Sequence, residues 1–188
     1  MKSVGEMNQA ELAAYVHDQL RQEGIDLVLS GGAAVSIYTS NRYISHDIDF
    51  VATGLAGRAQ IKRAMERLGF REVGRHYEHP DAKWFVEFPG GPPSVGTEPI
   101  ARIEEIHFAT GTLRVISATD CVKDRLSAYY HFHDRQSLHQ ARLVAAERDV
   151  DLAEVRRWSE VEGKLDEFAK IEHELSRNSH AEAPPHSL

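Results

Sequence analysis

Two aspartates, Asp47 and Asp49, lie two positions apart in the segment DIDFVA, which alternates charged and apolar residues. Side chains of a β-strand alternate between faces, so both carboxylates would share one face while Ile48 and Phe50 fill a core. Neighbouring carboxylates repel each other, and a bound divalent cation relieves that repulsion. Magnesium prefers carboxylate and phosphate oxygens as ligands. The pattern therefore predicts a magnesium site on one face of a strand.

A third carboxylate on a neighbouring strand would extend this site. Glu87 is the candidate, because it is the one charged residue in the apolar run WFVEF. A lone carboxylate is costly to bury, so Glu87 must reach either a groove or a positively charged partner. An Asp-x-Asp pair can also be a plain solvent-facing strand edge, and that alternative stays open for residues 47–49 taken alone.

A glycine pair, Gly31 and Gly32, follows a short apolar strand predicted over 25–30 and precedes a predicted helix. Glycines allow a backbone to approach a phosphate closely. The N-terminus of a helix offers free N–H groups to the same phosphate. The Asp-x-Asp pair follows at short range, so the sequence predicts a phosphate site beside the magnesium site.

The combination SGGAAVSIY…SHDIDFV resembles the nucleotidyltransferase superfamily. It is particularly similar to the bacterial minimal nucleotidyltransferases and to the type IV toxins of abortive-infection systems. The resemblance implies a set of residues that bind a nucleoside triphosphate (NTP), comprising Ser30, Gly31, Gly32 and Ser45. It also implies a catalytic set of acids that holds two magnesium ions, comprising Asp47, Asp49 and Glu87.

The helix predicted after the sheet carries two further candidates. By the same resemblance, Lys123 matches a catalytic lysine that binds the triphosphate, and Asp134 matches a later aspartate of the nucleotide site. A lysine can hold a triphosphate as a point charge. Charged residues at the start of a helix are as often a solvated face, so this alternative stays open.

Together these features predict a magnesium-dependent nucleotidyltransferase that moves a nucleoside monophosphate group to a hydroxyl of a tRNA end, a protein or a small molecule. The resemblance also implies the toxin of a toxin–antitoxin system, with a cognate antitoxin or regulator as partner. One alternative is a catalytically silent nucleotide-binding or antitoxin-like protein. It is suggested by Ala33, where the family often has Ser or Thr, and by Glu87, where Asp is frequent. A magnesium-dependent phosphodiesterase would use the same acids.

The composition limits the class of protein and its surroundings. The chain has 188 residues with 41% apolar and 27% charged residues, which favours one main domain with a sizeable core. The net charge of −7 argues against an extended DNA-binding surface. A single cysteine permits no disulfide framework within the chain and favours a reducing, cytoplasmic location. No apolar run approaches membrane-spanning length, so no membrane association is predicted.

The elements are predicted in the order helix, strand, helix, strand, helix, several strands and then helices. That order indicates an α/β (α+β) fold, which by resemblance is a nucleotidyltransferase-like mixed sheet flanked by helices. We expect three segments: an α/β domain over 1–117, a helical segment packed on it over 118–175, and a disordered tail over 176–188.

Local patterns give more specific expectations. An amphipathic helix is predicted over 7–23, with Asn8 as its N-cap, and a helix break is predicted near His133. One strand is predicted over 70–78, and another over 83–88. The Pro- and Gly-rich stretch over 89–99 is predicted to be a loop.

Overall fold

The computed structural model describes residues 2–176. The helices of this part of the chain are α1 (Gln9–Gln22), α2 (Gly31–Tyr38), α3 (Arg58–Arg67), α4 (Ala118–Phe132), α5 (Arg135–Glu147), α6 (Leu152–Val161) and α7 (Leu165–Ser176). Its strands are β1 (Leu27–Ser30), β2 (Asp47–Ala52), β3 (Arg71–Val73), β4 (His76–Glu78), β5 (Phe85–Glu87), β6 (Ser94–Val95), β7 (Glu98–Pro99), β8 (Ile103–Phe108) and β9 (Gly111–Ile116). The tail predicted over 176–188 starts at the last residue of α7, and residues 177–188 lie outside the described part.

Seven strands form one mixed sheet in the order β3-β4-β5-β2-β1-β9-β8. Strand β1 runs antiparallel to β2 and parallel to β9, while β2 runs parallel to β5. The C-terminal end of β1 therefore lies beside the N-terminal end of β2. The predicted fold class, a mixed sheet flanked by helices, is confirmed.

The centre of the sheet is covered by helices because its strands are apolar on both faces. Leu27, Val28 and Leu29 of β1 are all fully buried. Helix α1 packs along β1, β8 and β9 and contacts α3, whereas α2, α4 and α5 pack against one another. This burial holds the turn from β1 into α2 in a fixed place.

Helix α1 begins where the sequence predicts it. The side chain of Asn8 accepts a hydrogen bond from the Glu11 backbone N–H at 2.9 Å, and the Glu11 carboxylate accepts one from the Asn8 N–H at 2.8 Å. This capping box satisfies two N–H groups at the start of the helix. Leu12, Val16 and Leu20 are fully buried along one stripe, so the predicted helix and its N-cap are confirmed.

Two local predictions are wrong. The single strand predicted over 70–78 is a hairpin of β3 and β4, because Gly74 adopts a φ of +63° and reverses the chain. The loop predicted over 89–99 contains the strand pair β6–β7. Helix α6 stabilises this strand pair, because Trp158 donates a hydrogen bond to the Val95 carbonyl at 3.1 Å.

The helical segment after the sheet also has clear boundaries. Ser117 caps α4 by accepting a hydrogen bond from the Asp120 backbone N–H at 3.1 Å. The helix ends at Phe132, and His133 follows with a left-handed φ of 54°. The predicted break near His133 is therefore confirmed. None of the helices within residues 2–176 has both the length and the apolar character needed to cross a membrane.

Candidate functional site

The two aspartates of the sequence pattern lie on β2 and share one side of the sheet. Asp47 opens the strand and Asp49 is its third residue, and the apolar residues that alternate with them are fully buried. In the strand register, Asp49 lies between Ser30 of β1 and Glu87 of β5. Directly paired residues of neighbouring strands present their side chains to the same face. The structure thus places the three predicted acids on the same face of two adjacent parallel strands.

The negative charge of this group is poorly compensated. Burial, and after it the charges of Asp47 and Glu87, raise the pKa of Asp49 to about 7. Arg125 of α4 acts in the opposite direction, but its guanidinium pairs with Asp124. Neither Asp49 nor Glu87 forms an ion pair with a cation in the part of the chain that the structure describes. Charge is concentrated here without a protein partner, which is typical of functional sites.

The glycine pair lets the acids approach the start of α2. Gly31 has a φ of +66°, and a Cβ atom there would lie 2.3 Å from Oδ2 of Asp49. A Cβ atom on Gly32 would lie 2.6 Å from Oγ of Ser45. Any larger residue would push the carboxylate or the hydroxyl away. The two glycines are therefore required by the packing of the acid strand as well as by any ligand.

The first turn of α2 is buried and lies close to the acids. Ser30 occupies the N-cap position, but its side chain makes no capping hydrogen bond. Helix N-termini carry unpaired N–H groups and partial positive charge, which favour a phosphate. Ala33 is fully buried, and the Ser36 hydroxyl donates to the Gly32 carbonyl at 3.2 Å. Ser30 is therefore a serine at this turn whose hydroxyl makes no capping hydrogen bond.

The segment entering β2 is fixed by hydrogen bonds from two directions. The Ser45 hydroxyl donates to the Asp47 carboxylate. The buried Gln9 side chain of α1 donates to the Ser45 carbonyl at 2.9 Å and the Asp47 carbonyl at 3.2 Å. Sequence reasoning missed Gln9, because nothing in the sequence pattern links residue 9 to a strand that begins at 47.

Lys123 requires a correction. It is 3% exposed, and its ammonium lies 2.6 Å from Oε1 of Glu154 and 3.5 Å from Oδ1 of Asp120. The predicted triphosphate lysine is thus neutralised within a structural cluster. Arg125 lies roughly 200° further around α4, and it is the residue whose charge acts on Asp49. Helical spacing separates the two cations, but the sequence alone does not say which one faces the acids.

Asp134 also differs from its prediction. Its side chain accepts hydrogen bonds from the Gln136 backbone N–H at 2.9 Å and the Ser137 hydroxyl at 2.7 Å, and it caps α5. These bonds, led by the one from Ser137, lower the pKa of Asp134. Asp134 therefore has a structural role at the start of α5, and its predicted role in the nucleotide site stays a prediction.

The carboxylate oxygens of the site suit a magnesium ion that also binds a phosphate. Asp47, Asp49 and Glu87 offer the oxygen ligands that magnesium prefers, and the raised pKa of Asp49 reflects charge that a cation would neutralise. Among residues 2–176, however, no three His, Cys, Asp or Glu side chains are grouped so that they could hold a metal ion. Magnesium is usually bound by one or two carboxylates together with substrate phosphates and water. The acids therefore fit an ion that is shared with a phosphate ligand.

A cavity of about 780 Å³ lies on the other face of the sheet, where Tyr77 and Phe88 line it. In the strand register Tyr77 pairs with Val86, so its side chain faces away from Asp49 and Glu87. Of the predicted site residues, Glu87 alone is among the lining residues.

Comparison with known structures places the fold. A nucleotidyltransferase-like antigenic protein from Paracoccidioides brasiliensis aligns with a TM-score of 0.55 at 13% identity, over 89% of this chain and 92% of that chain. The antibiotic-resistance factor ANT(2″)-Ia aligns with a TM-score of 0.48 in two structures. Its solution structure is 18% identical over 84% of this chain and 89% of that one. Its complex with adenylyl-2″-tobramycin is 17% identical over 82% and 95%.

No family model and no curated protein matches the chain. The resemblance to abortive-infection toxins therefore stays a prediction. The alignment with the fungal protein, at low identity, establishes the architecture alone. The chain has a nucleotidyltransferase-like fold.

Proposed function

We propose that this protein transfers the nucleoside monophosphate group of an NTP to an acceptor hydroxyl in a magnesium-dependent reaction. The observation that carries the proposal is the pairing of Asp49 with Glu87 across parallel strands, beside the glycine start of α2. Carboxylates can hold the metal ion and a helix N-terminus can bind the phosphates in metal-assisted phosphoryl transfer. The fold supports the same reaction class by analogy.

Asp47 and Asp49 would hold magnesium together with the triphosphate oxygens, and a second ion would be shared with Glu87. Bound there, magnesium stabilises the negative charge that develops during transfer. The Ser45 hydroxyl orients the Asp47 carboxylate. A cation beside Asp49 favours its ionised form and so reverses the effect of burial on its pKa.

The triphosphate would lie on the first turn of α2. The N–H groups of Gly31 and Gly32 and the Ser30 hydroxyl would donate to phosphate oxygens there. Arg125 takes the role predicted for Lys123, because its charge already acts on Asp49. A guanidinium binds phosphate through two parallel N–H groups, so Arg125 would exchange Asp124 for a phosphate when the nucleotide binds.

Glu87 would act on the acceptor side. Its carboxylate shares one face of the sheet with Asp49, its partner in the strand register. As a general base it would accept the proton of the attacking hydroxyl while pyrophosphate leaves from the opposite side of the α-phosphorus.

The test is transfer of label from α-³²P-labelled ATP, CTP, GTP and UTP, with magnesium, to tRNA, protein and small hydroxyl compounds. We expect transfer by the native protein and a loss on the order of 10²–10³-fold in Asp49→Asn, because removal of one stabilising charge has that effect. Asp26→Asn is the matched control. It makes the same substitution in a half-exposed residue just before β1 and should keep full activity.

Two results would replace the proposal. Nucleotide binding without transfer to any acceptor would identify the silent nucleotide-binding protein, an alternative favoured by the buried Ala33 and by the open arrangement of the acids. Cleavage of a phosphodiester without an NTP would identify a phosphodiesterase.

We also propose that the transfer serves a toxin–antitoxin system in the bacterial cytoplasm, with an antitoxin or regulator as partner. The support is the sequence resemblance to abortive-infection toxins. Induced expression of the native protein should arrest growth, whereas Asp49→Asn should not. Equal growth of both strains would refute the toxin role and leave the transfer reaction standing.

A further inference from the structure

The sheet face that carries the acids continues past Glu87 onto two more strands. The strand partner of Glu87 on β4 is His76, and the partner of His76 on β3 is Val73. Side chains of directly paired residues point to the same face of a sheet. Helix α2 packs on β1 and β2, whereas Val73, at the far end of this row, is 44% exposed. The acid face therefore becomes open to solvent beyond β5.

A second row of side chains on this face leads from the acids into a pocket. Asp47 pairs with Phe85 of β5, and Glu78 of β4 pairs with Arg71 of β3. Phe85, Glu78 and Arg71 all line a pocket of about 330 Å³, a volume within the range of roughly 300–1,000 Å³ typical of ligand sites. Neighbouring strands lie about 4.8 Å apart. A small molecule in this pocket can therefore lie one strand away from Asp47, on the same face of the sheet.

The pocket presents a flat aromatic surface. Phe85 and Trp84 line it, and both side chains are half-buried. The His76 ring lies against Phe85, with ring centroids 4.6 Å apart and an angle of 38° between the planes. His76 is held in turn by Glu78, whose Oε1 lies 2.7 Å from Nε2 of the imidazole. Aromatic side chains of this kind stack on planar rings, so the walls favour a ligand with such a ring.

The pocket also carries two cations without acidic partners. Arg71 and Lys83 line it and are exposed, and neither belongs to an ion pair within residues 2–176. Glu78, an acid of the same lining, is paired with His76. A guanidinium binds phosphate through parallel N–H groups and an ammonium binds it as a point charge. A phosphate monoester, with a charge of about −1.5 to −2 at pH 7, matches this pair of cations.

We infer that this pocket is the acceptor site and that the acceptor is a small compound with a planar ring, a phosphate monoester and a hydroxyl. The inference rests on the proposed transfer reaction. The ring stacks on Phe85 and Trp84, the phosphate binds Arg71 and Lys83, and the hydroxyl points toward the acids. The acceptor oxygen forms a bond to the α-phosphorus as the bond from that phosphorus to the bridging oxygen of the β-phosphate breaks. The hydroxyl proton passes to Glu87, and pyrophosphate leaves with the electron pair.

The test uses three hydroxyl compounds that separate the ring from the phosphate: 4-(hydroxymethyl)phenyl phosphate, 4-(hydroxymethyl)phenol and glycerol 1-phosphate. Each is titrated into the ¹⁵N-labelled full chain without nucleotide, and amide shifts are followed by NMR. We expect the aryl phosphate to shift the amides of Arg71, His76 and Phe85 and to bind about tenfold more tightly than either other compound. Arg71→Ala should abolish its advantage over the phenol. Arg75→Ala, an exposed arginine of the same hairpin outside the lining, should preserve it.

Equal binding of the aryl phosphate and the phenol, an unchanged preference in Arg71→Ala, or shifts confined to α2 or other surfaces would overturn the inference. So would a single-stranded RNA that shifts the pocket amides when none of the three compounds does. Because binding is measured without nucleotide, the two proposals fail separately. Absence of label transfer with the aryl phosphate preference intact refutes the reaction, whereas transfer that is equally efficient in Arg71→Ala refutes the phosphorylated acceptor.

Discussion

The charged residues on two sides of α4 are organised in opposite ways. On one side, Lys123 is buried between Asp120 and Glu154, and every charge of that cluster has an opposite partner. On the other side, Asp49 and Glu87 are neighbouring like charges with no ion pair in the described residues. The first arrangement stabilises the folded chain internally. The second costs free energy that only a bound cation or proton can recover.

The two clusters also shift pKa values in opposite directions. Hydrogen bonds from Arg157 and then Lys123 lower the pKa of Glu154 to about 2, whereas burial and neighbouring acids raise that of Asp49 to about 7. A lowered carboxylate pKa indicates a satisfied structural pair. A raised carboxylate pKa beside a helix N-terminus indicates a candidate ligand-binding site. Two carboxylates thus acquire different roles from their partners.

The largest expected effect tests the structural side of this comparison. Lys123→Met should lower the free energy of unfolding by about 3 kcal/mol, because it leaves the buried Asp120 carboxylate without its cation. Urea denaturation measures the change, and the exposed Lys170→Met is the control. If Lys123→Met retained full stability and lost label transfer, Lys123 would belong to the nucleotide site and the comparison would fail.

The next effect tests how tightly the acid strand meets α2. Gly31→Ala should cost about 2 kcal/mol, because it combines a positive φ with a contact of 2.3 Å to Asp49. Gly24→Ala is the matched control. Its φ of +74° is similar but nothing lies within 4 Å of its Cβ position, so only the backbone cost of about 1 kcal/mol remains. Equal losses in thermal or urea unfolding would show that Asp49 does not crowd Gly31.

A smaller effect concerns pH. The pKa of Asp49 is raised from 3.8 to about 7 in the folded protein. The folded state therefore holds this proton more tightly than the unfolded chain, and stability is lost as pH rises from about 4 to 7. Relative to Asp49→Asn, the native protein should lose about 2 kcal/mol between pH 5 and 8. Magnesium with nucleotide should reduce the loss. A pH-independent difference in urea midpoints would contradict this account.

The smallest effect concerns the support from α1. Gln9→Met keeps the size of the side chain but removes the hydrogen bonds to the Ser45 and Asp47 carbonyls. We expect the free energy of unfolding to fall by about 1 kcal/mol when these two hydrogen bonds are lost. We also expect label transfer to depend less strongly on the magnesium concentration. Gln22→Met, on the exposed end of the same helix, is the control. A change in stability without a shift in the magnesium requirement would restrict Gln9 to a purely structural role.

The parts of the site that the sequence predicts depend on local geometry. Alternation along DIDFVA determines that Asp47 and Asp49 share a face, and the glycine pair determines where a sharp turn can occur. The pairing of Asp49 with Glu87 is not fixed by local geometry, since strands β2 and β5 are separated by two other strands along the chain. The isolation of Glu87 in an apolar strand identifies it as a candidate but does not determine its register.

The parts that could not be predicted depend on contacts between distant segments. The choice between Lys123 and Arg125 requires the rotation of α4 relative to the sheet, which follows from packing of the whole helical layer. The capping role of Asp134 requires the start of α5. The hydrogen bonds of Gln9 to the Ser45 and Asp47 carbonyls join residues that are 36 and 38 positions apart, and they leave no periodic signal in the sequence.

The parallel pairing of β1 with β9 has a consequence for biosynthesis. Leu29 finds its strand partner at Val115, and the His17 ring of α1 is hydrogen-bonded to the Thr112 carbonyl at 2.7 Å. The apolar surfaces of the first third of the chain therefore stay uncovered after translation until the segment that contains β9 has been synthesised. Distant pairings of this kind slow folding and prolong exposure to aggregation. The nascent protein consequently becomes competent only after its last long strand has emerged.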